Sequence, residues 1–151
     1  MDRAIYTPLP RQPGAIRLLR LLPDSDEDSP IRCSLFIYDL QEWTERPHLY
    51  EALSYVWGDP NRVLPIYISE YIVNVTENLH AALRRLRDNY FERVIWVDAM
   101  CIDQQNPDEV KSQILLMARI YSQASRVLIW LGLAADGSDT ILEKIRTAGS
   151  G

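Results

Sequence analysis

Cysteine and histidine are scarce in this 151-residue chain, two of each. Cys33 and Cys101 lie far apart and lack Cys-x-x-Cys spacing, so a secreted-type disulfide framework is not expected. His48 and His80 stand alone, and no metal site can be read from this set. Long apolar runs are missing too. None approaches the roughly 20 residues that span a bilayer, so no membrane span is expected. The chain has no GxGxxG and no GxxxxGK followed by Ser or Thr, which argues against a conventional dinucleotide cofactor or a P-loop nucleotide. No cofactor is required on this reading. Positive charge is in deficit, with 16 Lys and Arg against 21 Asp and Glu, whereas a nucleic-acid binder normally carries a basic face. The start, Met1-Asp2-Arg3-Ala4, leads into Pro8, Pro10 and Pro13 without the apolar core of a signal peptide, so a cytoplasmic location is expected.

What is present suits one globular domain with a proper core, 47% of its residues being hydrophobic. Residues 1–30 read as an N-terminal extension packed on, or leading into, a domain over 31–151. Within the extension, Ala15 to Leu22 is bracketed by Pro13, Gly14 and Pro23 and fits a short strand. The run Asp24-Ser25-Asp26-Glu27-Asp28 reads as a solvated loop. Ile31 to Asp39 is β-rich, and Tyr50 to Trp57 is a strand stopped by Gly58-Asp59-Pro60-Asn61. Leu64 to Ser69 and Tyr71 to Val75 form a hairpin turning near Ser69-Glu70. Thr76 then caps a helix reaching about Asp88. Its Leu79, Ala82, Leu83 and Leu86 make one apolar stripe, with Arg84, Arg85 and Arg87 on a solvated face.

Val94 to Asp98 has strand length. Asn106-Pro107-Asp108-Glu109 opens a helix, with Asn106 as cap and Glu109 placed to reach back in a capping box. Val110, Ile114, Met117, Tyr121 and Ala124 give that helix an apolar face. Val127 to Leu131 suits a strand buried on both faces. Ser138 is a candidate cap for a last helix from Asp139 to about Arg146. The alternation of strands and helices predicts a three-layer α/β domain: a mainly parallel sheet, helices on both faces, and an added β-hairpin.

That topology makes a geometric prediction. Ligands of open parallel sheets bind outside the carboxyl ends of the strands, at a switch in strand order. Ser54, Asp98 and Gly132 are therefore expected to meet at one rim. Candidate binding residues there are Ser54, Tyr55, Trp57, Gly58, Cys101, Asp103, Gln104 and Trp130. Each has a plainer alternative. Asp98 can hold a ribose hydroxyl or a cation, or can pair with a helix-start amide. Trp57 and Trp130 can stack on a nucleobase or pack in a core, as is expected of Trp96. Gly58 can admit a ligand or only turn the chain. Cys101 needs a lowered pKa to act as a nucleophile, and burial is the favoured alternative. Asp103, Gln104 and Gln105 form a polar loop suited to hydrogen bonding.

Three blocks carry a family likeness: Tyr50–Gly58 (YEALSYVWG), Thr76–Leu86 (TENLHAALRRL), and Ile95–Gly132, which opens IWVDAMCIDQQ and closes on WLG. In order and spacing they resemble the signature of the fungal heterokaryon-incompatibility (HET) domain. Asp103 stands where that family usually has Asn, and Val110 where an Arg is common. The resemblance implies a cell-death effector in non-self recognition, one that self-associates or meets other signalling proteins. The chain stops soon after its last predicted helix begins, which fits a truncated domain.

HET domains in turn resemble TIR domains, which implies a flavodoxin-like sheet and NAD⁺ as a candidate substrate. By that likeness Glu143, in the helix after the third parallel strand, is a candidate catalytic carboxylate beside Asp98. The plainer alternative for Glu143 is an exposed helix carboxylate near Lys144 and Arg146. Three functions follow: NAD⁺ cleavage in an assembly, recruitment of partners without catalysis through the helices or the loop at 99–107, and thiol chemistry at Cys101.

Overall fold

The computed structural model describes residues 5–40, 48–133 and 139–145, the last seven as backbone only. Among the described residues eight strands form one sheet. They are β1 (Ala15–Leu21), β2 (Arg32–Asp39), β3 (His48–Tyr55), β4 (Val63–Ile68), β5 (Tyr71–Thr76), β6 (Arg93–Trp96), β7 (Ala124–Leu133) and β8 (Asp139–Ile145). Three helices accompany them: α1 (Glu77–Leu86), the short α2 (Asp98–Cys101) and α3 (Pro107–Gln123). The spatial order is β5-β4-β2-β1-β6-β3-β7-β8. The sheet is mixed. The pairs β2–β4, β6–β3 and β3–β7 are parallel, and the other four are antiparallel.

The centre of the sheet positions the site. Taken in chain order, β3, β6 and β7 stand second, first, third in space, the flavodoxin-like 2-1-3 arrangement. The chain leaves β3 to one side through α1 and returns across it through α3. The direction of travel therefore reverses between β3 and β7. Strand residues alternate between faces. Tyr50 donates its hydroxyl to the Ile120 carbonyl at 2.5 Å, so α3 covers the face of Tyr50, Ala52 and Ser54. Tyr55 meets Thr76, at the start of α1, on the opposite face. Helices thus lie on both sides, as the alternation of elements predicts.

Local chemistry explains several boundaries. The Thr76 hydroxyl accepts from the Leu79 amide at 3.2 Å and starts α1, which buries Leu79, Ala82, Leu83 and Leu86. Asn106 accepts from the Glu109 amide at 3.2 Å and starts α3, with Pro107 at its first turn. Ser69 turns the β4–β5 hairpin with φ 53°, the left-handed conformation a two-residue turn requires.

Four expectations need correction. Residues 139–145 form β8, antiparallel to β7, and not a helix. An isolated helix of that length is marginal in water, whereas Thr140, Ile141 and Ile145 favour strand geometry and β7 supplies an open edge to pair with. Glu109 does not complete a capping box, because its carboxylate is taken by Arg17 and by the Asp103 amide. The fully buried residues of α3 are Glu109, Gln113, Ile120 and Gln123; of the expected apolar face Val110, Met117 and Tyr121 pack partly buried against the core, whereas Ile114 is 56% exposed. Arg87 is no solvated charge either. Its guanidinium donates to the Asp26, Glu27, Ser29 and Pro30 carbonyls, clamping the acidic loop, and Arg84 donates to Glu27 as well.

The stretch Ala15–Leu21, read as part of an extension, is an interior strand paired on both edges, to β2 and to β6. Ile16, Leu18, Leu19 and Leu21 are all buried in the core. Among the described residues no helix is long and apolar enough to cross a bilayer.

Candidate functional site

The carboxyl ends of β6, β3 and β7 meet at one rim. Ala52 pairs with Trp96, Ser54 with Ile129 and Tyr55 with Trp130, and the Val56 amide extends the last ladder to the Trp130 carbonyl at 3.2 Å. Ser54 and the start of α2 at Asp98 are therefore level across β3, with the β7 end on its other side. The expected convergence of Ser54, Asp98 and Gly132 on one rim is present.

Asn78, on the first turn of α1, closes the switch point. Its side-chain amide donates to the Val56 carbonyl at 3.1 Å. Gly58 and Gly132 both have positive φ, 73° and 99°, where L side chains are strained. A Cβ at Gly58 would stand 2.5 Å from Asn78 Nδ2, and one at Gly132 3.5 Å from it. The three residues come from three separate sequence blocks and form one clasp. Gly58 is thus needed for the turn and for the close approach of Asn78. Past this clasp Trp57 projects with 52% of its surface exposed, its ring parallel to that of Tyr55 within 4°.

Asp98 stands on the other side of β3. Burial raises its carboxyl pKa above the ordinary 3.8, partly offset by hydrogen bonds from its own amide and that of Ala99. The helix-start partner foreseen for Asp98 is therefore present. The side chain still faces polar company. Its charge helps to raise the phenols of Tyr55, already pushed up by burial to about 12, and of Tyr121. Tyr121 in turn bonds Ser54. Gln104 is exposed and donates to the Asp98 carbonyl at 2.9 Å, tying the 102–105 loop to the rim.

The sign of the Asp98 shift makes a prediction. A carboxyl with a raised folded pKa binds its proton more tightly in the native state than in the unfolded chain. Its contribution to stability is full below the unfolded value of 3.8 and is lost as pH rises through the raised one. Asp98→Asn should remove that decline, so thermal melts of the variant should gain on the wild type from about pH 4 to pH 7.

Other candidates sit elsewhere. Cys101 is fully buried, its Sγ accepting from the Val97 amide at 3.5 Å, and burial pushes its thiol up to about 12. Burial disfavours a thiolate there, and the side chain has no exposed surface in this conformation. Trp130 is 1% exposed and packs in the core with Trp96, so it offers no stacking face. Asp103 is buried in a different network. Glu143 lies in β8 opposite Leu128, well below the rim and on a strand, so the position expected of a helical glutamate is not realised.

Sequence reading missed the network around Arg17. Two residues along β1 from the Leu19–Ile95 pair, where β6 gives way to α2, Arg17 is 2% exposed. It donates to both Glu109 oxygens at 2.6 and 2.8 Å and to the Thr7 carbonyl at 2.7 Å, and lies 4.9 Å from the centre of the Tyr6 ring. Glu109 also accepts from the Asp103 amide at 2.5 Å. A cavity of about 650 Å³ opens beside this network, between the N-terminal segment and the first turns of α3. One signal was available: Arg17 and Arg20 are two charges amid apolar neighbours in a bracketed strand. Among the described residues no group of three or more His, Cys, Asp or Glu is placed to hold a metal ion.

Residues 50–150, which hold the rim strands and the Asn78 clasp, match the family model described as Heterokaryon incompatibility protein (HET). The chain belongs to the HET family. This HET chain is 33% identical over 147 residues to Heterokaryon incompatibility protein 6, OR allele, of Neurospora crassa. That likeness covers 89% of the chain and 21% of the relative, so the chain spans a small part of that protein's length. No solved structure matches it significantly. The HET match excludes β1 and β2, although β1 lies at the middle of the sheet.

Proposed function

We propose that this HET chain is a cell-death effector module of fungal incompatibility whose rim binds and cleaves NAD⁺ when copies assemble. The observation that carries the reading is the pairing of a half-buried carboxylate with an exposed aromatic platform at a topological switch. Trp57 offers a flat face to a nucleobase, and Asp98 with Ser54 and Tyr55 offers partners for ribose hydroxyls. Cleavage breaks the bond between nicotinamide and C1 of the ribose. Nicotinamide leaves with the bonding pair, and water adds at C1 and gives up a proton, leaving ADP-ribose. The transition state carries oxocarbenium-like positive charge, which a fixed anion in a partly dry site stabilises. Asp98 is the rim carboxylate suited to that role.

The test is nicotinamide release from NAD⁺ by the full chain, at high concentration with a crowding agent. Wild type should release it, and Asp98→Asn should slow release by about 10²-fold or more, the scale of losing one electrostatic stabiliser. Glu143→Gln should stay within a few-fold of wild type. The acid limb of the wild-type profile should lie above the ordinary aspartate range, because burial raises the Asp98 pKa. No release by the assembled wild type would overturn the enzymatic reading.

A second reading rests on a separate observation. Ile114, Leu115 and Leu131 are 56%, 79% and 54% exposed, more apolar surface than α3 and β7 need leave open. It supports a recruiting module without catalysis. Toxicity in cells that survives Asp98→Asn but is lost in Leu115→Asp would favour it.

A further inference from the structure

We propose that β5 is a dimerisation edge, to which a second copy of the chain adds its own β5 antiparallel, about a two-fold axis at Val73. β5 ends the sheet order, and among the described residues no strand pairs with its outer edge. The edge supplies a surface for the assembly invoked above and does not rest on NAD⁺ cleavage.

The hydrogen-bond pattern fixes which backbone groups are open. The Tyr67 amide donates to the Ile31 carbonyl at 2.9 Å and the Ser69 amide to the Cys33 carbonyl at 2.8 Å, so these residues turn toward β2. Alternation along an antiparallel ladder then turns Leu64, Ile66 and Ile68 toward β5, where they face Val75, Val73 and Tyr71. The Glu77 amide keeps that phase, donating to the Arg62 carbonyl at 2.8 Å. Ile72 and Asn74 therefore aim their N–H and C=O groups away from the sheet. A two-fold axis at Val73 sets Ile72 of each copy opposite Asn74 of the other, a pair that exchanges both bonds. Thr76 lends less, because at the cap of α1 its carbonyl already serves the helix.

The side chains select a like strand. Chains that must stay apart blunt such edges with charge, proline or a bulge. Tyr71–Thr76 has no charged residue, no proline and no glycine, and it pairs with β4 without a break in register. Opposed to itself about Val73, it sets Tyr71 against Val75. The flanking Glu70 and Glu77 fall opposite Thr76 and Ser69, so no carboxylate faces another. Ile72 is 62% exposed, and pairing brings the two copies' Ile72 side chains diagonally across the axis, covering apolar surface. The contact is small, so a Kd on the order of 100 µM is expected.

Sedimentation equilibrium of the full chain without NAD⁺, from about 10 µM to about 1 mM, should show monomer and dimer exchanging with that Kd. Asn74→Pro removes an outward N–H and spares the ladder to β4, so it should melt cooperatively yet stay monomeric. Ile72→Lys should weaken the dimer by about tenfold or more. On mild oxidation, chains with Ile72→Cys should link to chains with Asn74→Cys, their Cα atoms about 5.5 Å apart, and neither variant should link to itself. Cys33 and Cys101 are buried and stay out of that reaction. Should Asn74→Pro fail to fold, Ile72→Lys and the cross-link decide the matter. A chain still monomeric at about 1 mM would leave the edge to a strand of another protein and overturn the proposal. A dimer undiminished in Ile72→Lys, or the absence of the mixed disulfide, would overturn it as well.

Discussion

Gly58→Ala should destabilise the domain by about 2–3 kcal/mol, a large fraction of the stability a domain of this size holds. Two costs add. Alanine at φ 73° carries roughly 1–2 kcal/mol of backbone strain. Its methyl would also stand 2.5 Å from Asn78 Nδ2, so the Asn78 amide must leave the Val56 carbonyl, forfeiting about 1 kcal/mol. The second cost identifies the clasp, because it disappears when Asn78 is absent. Asn78→Ala alone should cost about 1 kcal/mol, and the double variant should be more stable than the sum of the singles by about 1 kcal/mol. Urea unfolding followed by tryptophan fluorescence measures all three. Strict additivity would show that Asn78 and Gly58 do not act on one another, and the clasp would be abandoned.

Glu109→Ala should cost more, about 3–5 kcal/mol, and much of the protein should unfold near 37 °C. Arg17 would keep its charge at 2% exposure with its bidentate partner gone, and the Asp103 amide would lose its acceptor. Water can repay little of that inside the core. Arg17→Met with Glu109→Leu should recover most of the loss, since it removes both charges together. Full recovery is not expected, because the Thr7 carbonyl and the Asp103 amide would still lack partners. A double variant as unstable as Glu109→Ala would mean that packing, and not the stranded charge, sets the cost.

The rim was legible in the sequence because strand ends are punctuated. Gly58 and Gly132 close apolar runs, Asp98 follows one, and the helix caps at Thr76 and Asn106 fix which strands run parallel. What periodicity cannot report is a partner chosen across the fold. Glu109 has the right offset from Asn106 for a capping box, and local spacing carries no trace of Arg17, 92 residues away. The same blindness made Ile114 look buried, since α3 turns Glu109 and Gln113 inward to meet β1. Residues 139–145 were misread because a short segment follows the pairing offered by its neighbour more than its own propensity. Cys101 and Trp130 follow the commoner fate of their residue types at the ends of core strands.

The placement of β1 has a bearing on how the protein can be handled. The amino acids that define the family do not by themselves complete its hydrogen-bonded framework. A fragment trimmed to residues 50–150 would present β6 as a raw border, with Ile95 and its backbone groups stripped of the neighbour that Leu19 and Leu21 provide. Such borders invite sticking between molecules. Stickiness of a trimmed piece would then report a missing strand, and should not be taken for the assembly through which a signalling module acts.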